Sequence, residues 1–232
     1  MNLLPLLVPM LLPDWLDPAY LIQAMGNWAL WGVALILVIE CCIFPLLPGD
    51  SLLFTVGMFV AMTPPSITFA GLDKPMVLAV ACLILTVAAV LGNVIGYWVG
   101  AAIGPALFKP RTGFWGKVFD PVRVEQTHAL LEKYGPRALV LARFVPFART
   151  FITLIAGIGG MTFRTFITWT GIGAVVWAVG LTVLGYFLGT IPVINNNLEL
   201  VLILIVLISI LPMVFEYLNE RRKLKAAAAV KA

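Results

Sequence analysis

Charge is what this sequence lacks most. Only 11% of its 232 residues are Asp, Glu, Lys or Arg, less than half the roughly 25% usual for soluble domains. So few charges cannot cover a globular surface in water. With 62% hydrophobic residues and a mean hydropathy of +1.05, the chain is expected to be an integral membrane protein. Histidine is reduced to one, His128, and cysteine to three, Cys41, Cys42 and Cys82, with no CxxC pair. This argues against a metal centre or a disulfide framework and leaves the cysteines as small packing residues. Neither a metal nor a cofactor is expected. Residues 1–25 carry no basic n-region and are interrupted by Pro5, Pro9 and Pro13. They read as an interfacial lead-in anchored by Trp15 and Tyr20, not as a cleaved signal peptide.

Apolar segments cover 26–62, 76–104, 138–160, 166–189 and most of 191–218. A spanning helix needs about 20 apolar residues, so 76–104, 166–189 and 191–218 each suffice to cross. The stretch 26–62 is long enough to enter, turn at Pro45–Asp50 and return. The stretch 138–160 suits a re-entrant hairpin turning at Pro146. Broken helices at membrane depth are tolerated where protein or water covers the freed backbone groups.

Orientation follows from the basic residues. The 105–137 loop carries Lys109, Arg111, Lys117, Arg123, Lys133 and Arg137, and the 219–232 tail carries Arg221, Arg222, Lys223, Lys225 and Lys231. The positive-inside rule places both in the cytoplasm. The net charge of +4 therefore reports topology, and no nucleic-acid partner is expected. Within the loop, Asp120 as N-cap, Pro121 at N1 and Gly135 at C′ delimit an amphipathic helix that carries His128 as a surface residue.

These segments predict an all-α membrane protein whose 26–190 region is an inverted repeat. Two re-entrant hairpins, each followed by a transmembrane helix, precede a C-terminal transmembrane helix. Gly96-Tyr97-Trp98-Val99-Gly100 ends the first span and Gly185-Tyr186-Phe187-Leu188-Gly189 ends the second. Gly92, Gly96, Gly100 and Gly104 form a small-residue line suited to close helix packing, with Asn93 beside it as packing glue or a substrate contact. Val201 to Leu211 is equally suited to lipid or to a second subunit, which leaves a homo-oligomer open.

Four ionisable residues interrupt the apolar segments. Glu40 and Asp50 flank the turn containing Pro45, Pro48 and Gly49, and Arg143 and Arg149 flank the one containing Pro146. A charge at the bilayer centre costs roughly 2.5–3.5 kcal/mol on insertion scales. Four facing lipid would cost on the order of 10–14 kcal/mol, comparable to the roughly 5–15 kcal/mol stability of a whole domain. They are therefore expected to face each other or water, the default signature of a transport site.

The pattern Glu40-x4-Pro45-x2-Pro48-Gly49-Asp50, together with Arg143-Phe144-x-Pro146-x2-Arg149-Thr150-x5-Ala156-Gly157, resembles the DedA family. These are bacterial inner-membrane proteins that share the VTT domain with some eukaryotic membrane proteins. Ala142 and Phe147 stand where the family usually or often has Gly. The resemblance implies proton-motive-force-linked transport across the cytoplasmic membrane. It also implies undecaprenyl phosphate, the lipid carrier of cell-wall synthesis, as cargo, with both acids and both arginines functional.

Guanidiniums grip phosphate oxygens bidentately. Arg143, Arg149 and Thr150 are therefore read as substrate-binding, Glu40 and Asp50 as proton-coupling, and Pro45, Pro48, Gly49 and Pro146 as turn or hinge residues. Without cargo the two acids are expected to pair with the two arginines; proton uptake frees an arginine for a lipid phosphate. No catalytic residue is assigned. An enzyme such as a lipid phosphatase would need a nucleophile and a general acid beside the basic residues, and neither is evident. A passive scramblase, a membrane-organising scaffold and a proton-coupled cation or drug exporter remain alternatives at this stage.

Overall fold

The computed structural model describes residues 18–42, 47, 49–62, 67, 71–103, 131–144 and 148–191. Residues 1–17 of the lead-in with Trp15, the prolines Pro45, Pro48 and Pro146, the loop helix from Asp120 with His128 up to residue 130, and the 192–232 region with its C-terminal span and tail lie outside them. Tyr20 of the lead-in and residues 131–134 of the loop helix are described and helical. The described residues are helical, with no strand among them. Seven helices follow one another: α1 (Pro18–Met25), α2 (Ala29–Cys42), α3 (Gly49–Ala61), α4 (Lys74–Ile103), α5 (Ala138–Leu141), α6 (Ala148–Ile158) and α7 (Phe163–Gly189). Short 3₁₀ turns at Gly26–Trp28, Gly135–Arg137 and Ala142–Phe144 join some of them.

Among the described residues, only α4 and α7, with 30 and 27 residues, are long and apolar enough to cross a bilayer alone. At 1.5 Å per residue they extend about 45 and 40 Å, against a hydrocarbon core of about 30 Å. The helices α2, α3 and α6 have 14, 13 and 11 residues and extend about 17–21 Å each.

Local chemistry sets several helix ends. Pro75 sits in the first turn of α4, where its missing N–H costs nothing. Lys74 Nζ donates to the Ala61 carbonyl at 2.9 Å, placing a cation on the negative C-terminal end of α3. A Schellman motif closes α6: Met161 N donates to Ala156 O at 3.0 Å and Gly160 N to Gly157 O at 3.2 Å. Gly160 supplies the left-handed φ of +64° that this motif requires. Gly135, expected at a C′ position, likewise has φ of +58°.

Packing crosses the chain order. α3 lies chiefly on α7, whereas α2 and α6 both lie on α4, and α4 meets α7. The crossings of the short helices on the long ones are made at glycines. A Cβ on Gly57 of α3 would strike the Thr182 carbonyl and Tyr186 N of α7, and one on Gly157 of α6 would strike the Tyr97 carbonyl and Ala101 N of α4. In the reverse direction Gly185 abuts the backbone of Phe54, as Gly100 abuts the backbone of Leu154. Gly100 thus corresponds in packing to Gly185, one helical turn away from the correspondence suggested by the two Gly-Tyr-x-x-Gly stretches. Backbone contact at the glycines sets this register, and the neighbouring aromatic side chains do not.

Gly92 and Gly96 admit α2, where a Cβ would meet Cys41 Cβ at 2.8 Å and the Cys42 carbonyl at 3.0 Å respectively. Asn93 Nδ2 donates to the Ala89 carbonyl of its own helix at 2.6 Å. Outside this frame, Leu83, Val87, Leu91, Ile95 and Trp98 expose one apolar face of α4, and Ile172, Val175, Val176, Leu184 and Phe187 do so on α7. Glu40, Arg143, Arg149, Thr150, Thr170 and Thr182 lie inside. Apolar residues outside and charge inside is the arrangement a lipid environment selects.

Gly100→Leu and Gly57→Leu are expected to lower stability by at least the roughly 1–3 kcal/mol of an overpacked core. Gly180→Ala, at an exposed helical site with nothing near its added Cβ, should instead gain about 0.5–1 kcal/mol. Melting curves of the detergent-solubilised proteins give the comparison.

Candidate functional site

Glu40 lies in the last turn of α2, Asp50 in the first turn of α3, Arg143 in the 3₁₀ turn after α5, and Arg149 in the first turn of α6. Four short elements thus bring their ends to one place. Asp50 suits the positive N-terminal end of α3, but Arg149 sits at the same end of α6, where a cation is disfavoured. Two carboxylates offset that. Arg149 Nη2 donates to Glu40 Oε1 and Arg149 Nη1 to Asp50 Oδ1 at 2.8 Å. One guanidinium therefore holds both acids, across 109 and 99 residues of sequence.

The pairing differs from the sequence expectation of one set of partners shared between both arginines. Among the described residues no carboxylate lies within ion-pair distance of Arg143. Its Nη2 donates to the Thr170 carbonyl of α7 at 3.3 Å, its side chain lies beside the Cys41 thiol, and among the described residues its buried Nε has no hydrogen-bond partner. Residue position in the two half-helices explains the difference: Arg149 is on the helix that packs beside both acids, while Arg143 is turned toward α7.

Thr150, read as substrate-binding, is 1% exposed, and its hydroxyl donates to the Glu40 carbonyl at 3.3 Å. In this state it ties α6 to α2. Gly49 permits the approach of Glu40, because a Cβ there would collide with the Glu40 carboxylate. Pro45, Pro48 and Pro146, read as turn or hinge residues, lie outside the described residues.

Three α7 residues escaped the sequence reading. Trp177 Nε1 donates to Asp50 Oδ1 at 2.8 Å. Its ring lies 5.1 Å from the Arg149 guanidinium and 5.9 Å from that of Arg143, within the range of cation–π attraction. Gly173 makes room for Arg143, since a Cβ would stand 2.9 Å from its Cδ and Nε. Thr170, Gly173 and Trp177 follow at helical intervals of three and four on one face of the span. That spacing, with a small residue between a hydroxyl and an indole, was the available signal.

The burial is uneven. The Glu40 side chain is fully enclosed, whereas that of Asp50 retains 35% exposure. Asp50 is thus the acid that solvent or a proton donor reaches. Around this site the buried atoms without a hydrogen-bond partner among the described residues are Glu40 Oε2, Arg143 Nε and Arg149 Nε, so it keeps both acceptor and donor capacity, and Arg143 is the guanidinium with no carboxylate beside it.

Arg149→Leu strands the fully enclosed Glu40, and removing one partner of a buried pair costs about 3–5 kcal/mol. Adding Glu40→Gln to that variant should recover part of the loss. Melting of the single and double variants in detergent measures the coupling, and additive losses would show that the pair is not coupled.

Comparison with known proteins gives the family. The VTT domain model matches residues 47–187. The chain is 42% identical over 205 residues to an uncharacterized membrane protein of Mycobacterium tuberculosis, covering 87% of this chain and 85% of that one. It is 34% identical over 214 residues to Protein DedA of Escherichia coli, covering 90% and 92%. With the inner membrane protein YqjA of Escherichia coli the identity is 32% over 170 residues, covering 73% and 70%. No solved structure matches the chain. A matched domain spanning most of the helical frame, together with relatives covered along most of their length, makes this chain a member of the DedA family of VTT-domain membrane proteins.

Proposed function

We propose that this protein is a proton-motive-force-linked transporter of the bacterial cytoplasmic membrane, and not an enzyme, whose cargo is an anionic lipid phosphate of the undecaprenyl phosphate class. The observation that carries this reading is the Glu40–Arg149–Asp50 link, a charged connection between two halves of the chain inside an apolar outer surface. Such groups in a membrane interior mark ion or substrate pathways.

The halves are read as an inverted repeat of re-entrant hairpins. In support, α2, α3 and α6 are each shorter than the hydrocarbon thickness, and the Gly57–α7 and Gly157–α4 contacts involve the same backbone atoms. Inverted repeats with broken helices place transport sites between the halves. The chain is read as multi-pass, with the 105–137 loop and C-terminus in the cytoplasm.

In the resting state both acids hold Arg149. Proton uptake at Asp50, the exposed acid, loosens that hold and lets the two halves rock around the site while the lipid phosphate crosses. Protons and lipid phosphate are then the partners of the cycle.

Reconstituted in proteoliposomes, the protein should move lipid phosphate in response to a pH gradient. Folded Arg149→Lys should lose at least tenfold in rate, because one ammonium cannot reproduce the forked contact with both carboxylates. Movement indifferent to the gradient would favour a passive scramblase and reject coupling. Topology is checked separately: a single cysteine at position 229, in a variant lacking the native three, should react with an impermeant maleimide only after the cells are permeabilised.

A further inference from the structure

The two arginines are not equivalent. Arg149 is held by two carboxylates, while Arg143 is 6% exposed and has no carboxylate within ion-pair distance among the described residues. A buried guanidinium ordinarily takes a charged partner, because an uncompensated charge in low dielectric is costly. Here the surroundings are a backbone carbonyl of Thr170 at 3.3 Å, the Cys41 thiol and the Trp177 ring at 5.9 Å. None carries a full negative charge in its ordinary form, and among the described residues Nε has no hydrogen-bond partner; Arg149 Nε also lacks one, so the two guanidiniums differ in their carboxylates. The place is also a made one, since Gly173 leaves the space that the Arg143 side chain occupies.

We infer that Arg143 is the oxyanion receiver of this site and that Arg149 is its lock. The ligand is a phosphate monoester, or the free phosphate that shares its chemistry, taken by the Nε and Nη edge of Arg143 in a forked contact. Arg149 stays with Glu40 and Asp50 while the ligand first binds. Trp177 touches all three of Asp50, Arg149 and Arg143, so occupancy at one arginine is felt by the pair at the other. This assignment rests on the transport reading above but needs no gradient to be tested.

The test titrates the full chain in detergent with dodecyl phosphate and, separately, with inorganic phosphate, following melting temperature and tryptophan fluorescence. Wild type should bind at least one of them saturably. Response to dodecyl phosphate alone assigns a lipid head group, and response to both shows that the phosphate group suffices. Arg143→Gln should weaken binding at least tenfold, and Arg143→Lys should weaken it less, since the charge is kept and the fork is lost. The ligand-induced fluorescence change should disappear in Trp177→Phe. That arm keeps the assignment testable if Arg143→Gln does not fold.

Three results would overturn the assignment: binding to neither phosphate, folded Arg143→Gln binding as wild type does, or Glu40→Gln binding tenfold more tightly while Arg143→Gln is unaffected. The last identifies Arg149 as the receiver. Binding with no gradient-driven movement rejects the coupled transporter and leaves Arg143 as the anion site; movement without dependence on Arg143 does the reverse.

Discussion

The bridge made by Arg149 to Glu40 and Asp50 is the constraint around which the rest of the molecule is arranged. A guanidinium in an apolar interior needs negative charge beside it, and a carboxylate there needs positive charge or donors. The short helices α2, α3 and α6 therefore end at a common point, because the charged residues stand at or near their ends. Thr150, donating to the Glu40 backbone, and Trp177, donating to Asp50, complete the bridge from two further directions. Gly49 exists in that setting as clearance for a carboxylate.

The glycine contacts provide what the ionic bridge cannot. Salt bridges orient groups but do not exclude space, whereas the Gly57, Gly100, Gly157 and Gly185 crossings bring helix backbones together. Between lipid-exposed helices there is little hydrophobic driving force, so close van der Waals packing at small residues carries much of the association. The same crossings interleave the chain: the short helix of each half rests on the long helix of the other.

Much of this was legible in the sequence. Scarce charge and long apolar runs identified a membrane protein, and of the four ionisable residues expected to meet, Glu40 and Asp50 do so at Arg149 but not at Arg143. The lengths of α4 and α7 could be read directly from apolar runs, since a bilayer sets a minimum for an unaided span. Less legible was the α7 face of Thr170, Gly173 and Trp177, which is indistinguishable in an apolar helix from ordinary packing until a partner is placed beside it. Trp177 reaches Asp50 across 127 residues of chain, a separation at which sequence spacing holds no information about contact.

Sequence by itself determined the class of the protein, its helical segments and the identity of its buried charges, because hydropathy and the cost of ions in lipid act on each segment locally. Tertiary structure decided the pairing. It placed both acids on Arg149, left Arg143 with a carbonyl, a thiol and an indole, and shifted the glycine register by one turn. These outcomes depend on which backbones approach within contact distance and on the direction in which each side chain leaves its helix. Both are set only when the helices pack.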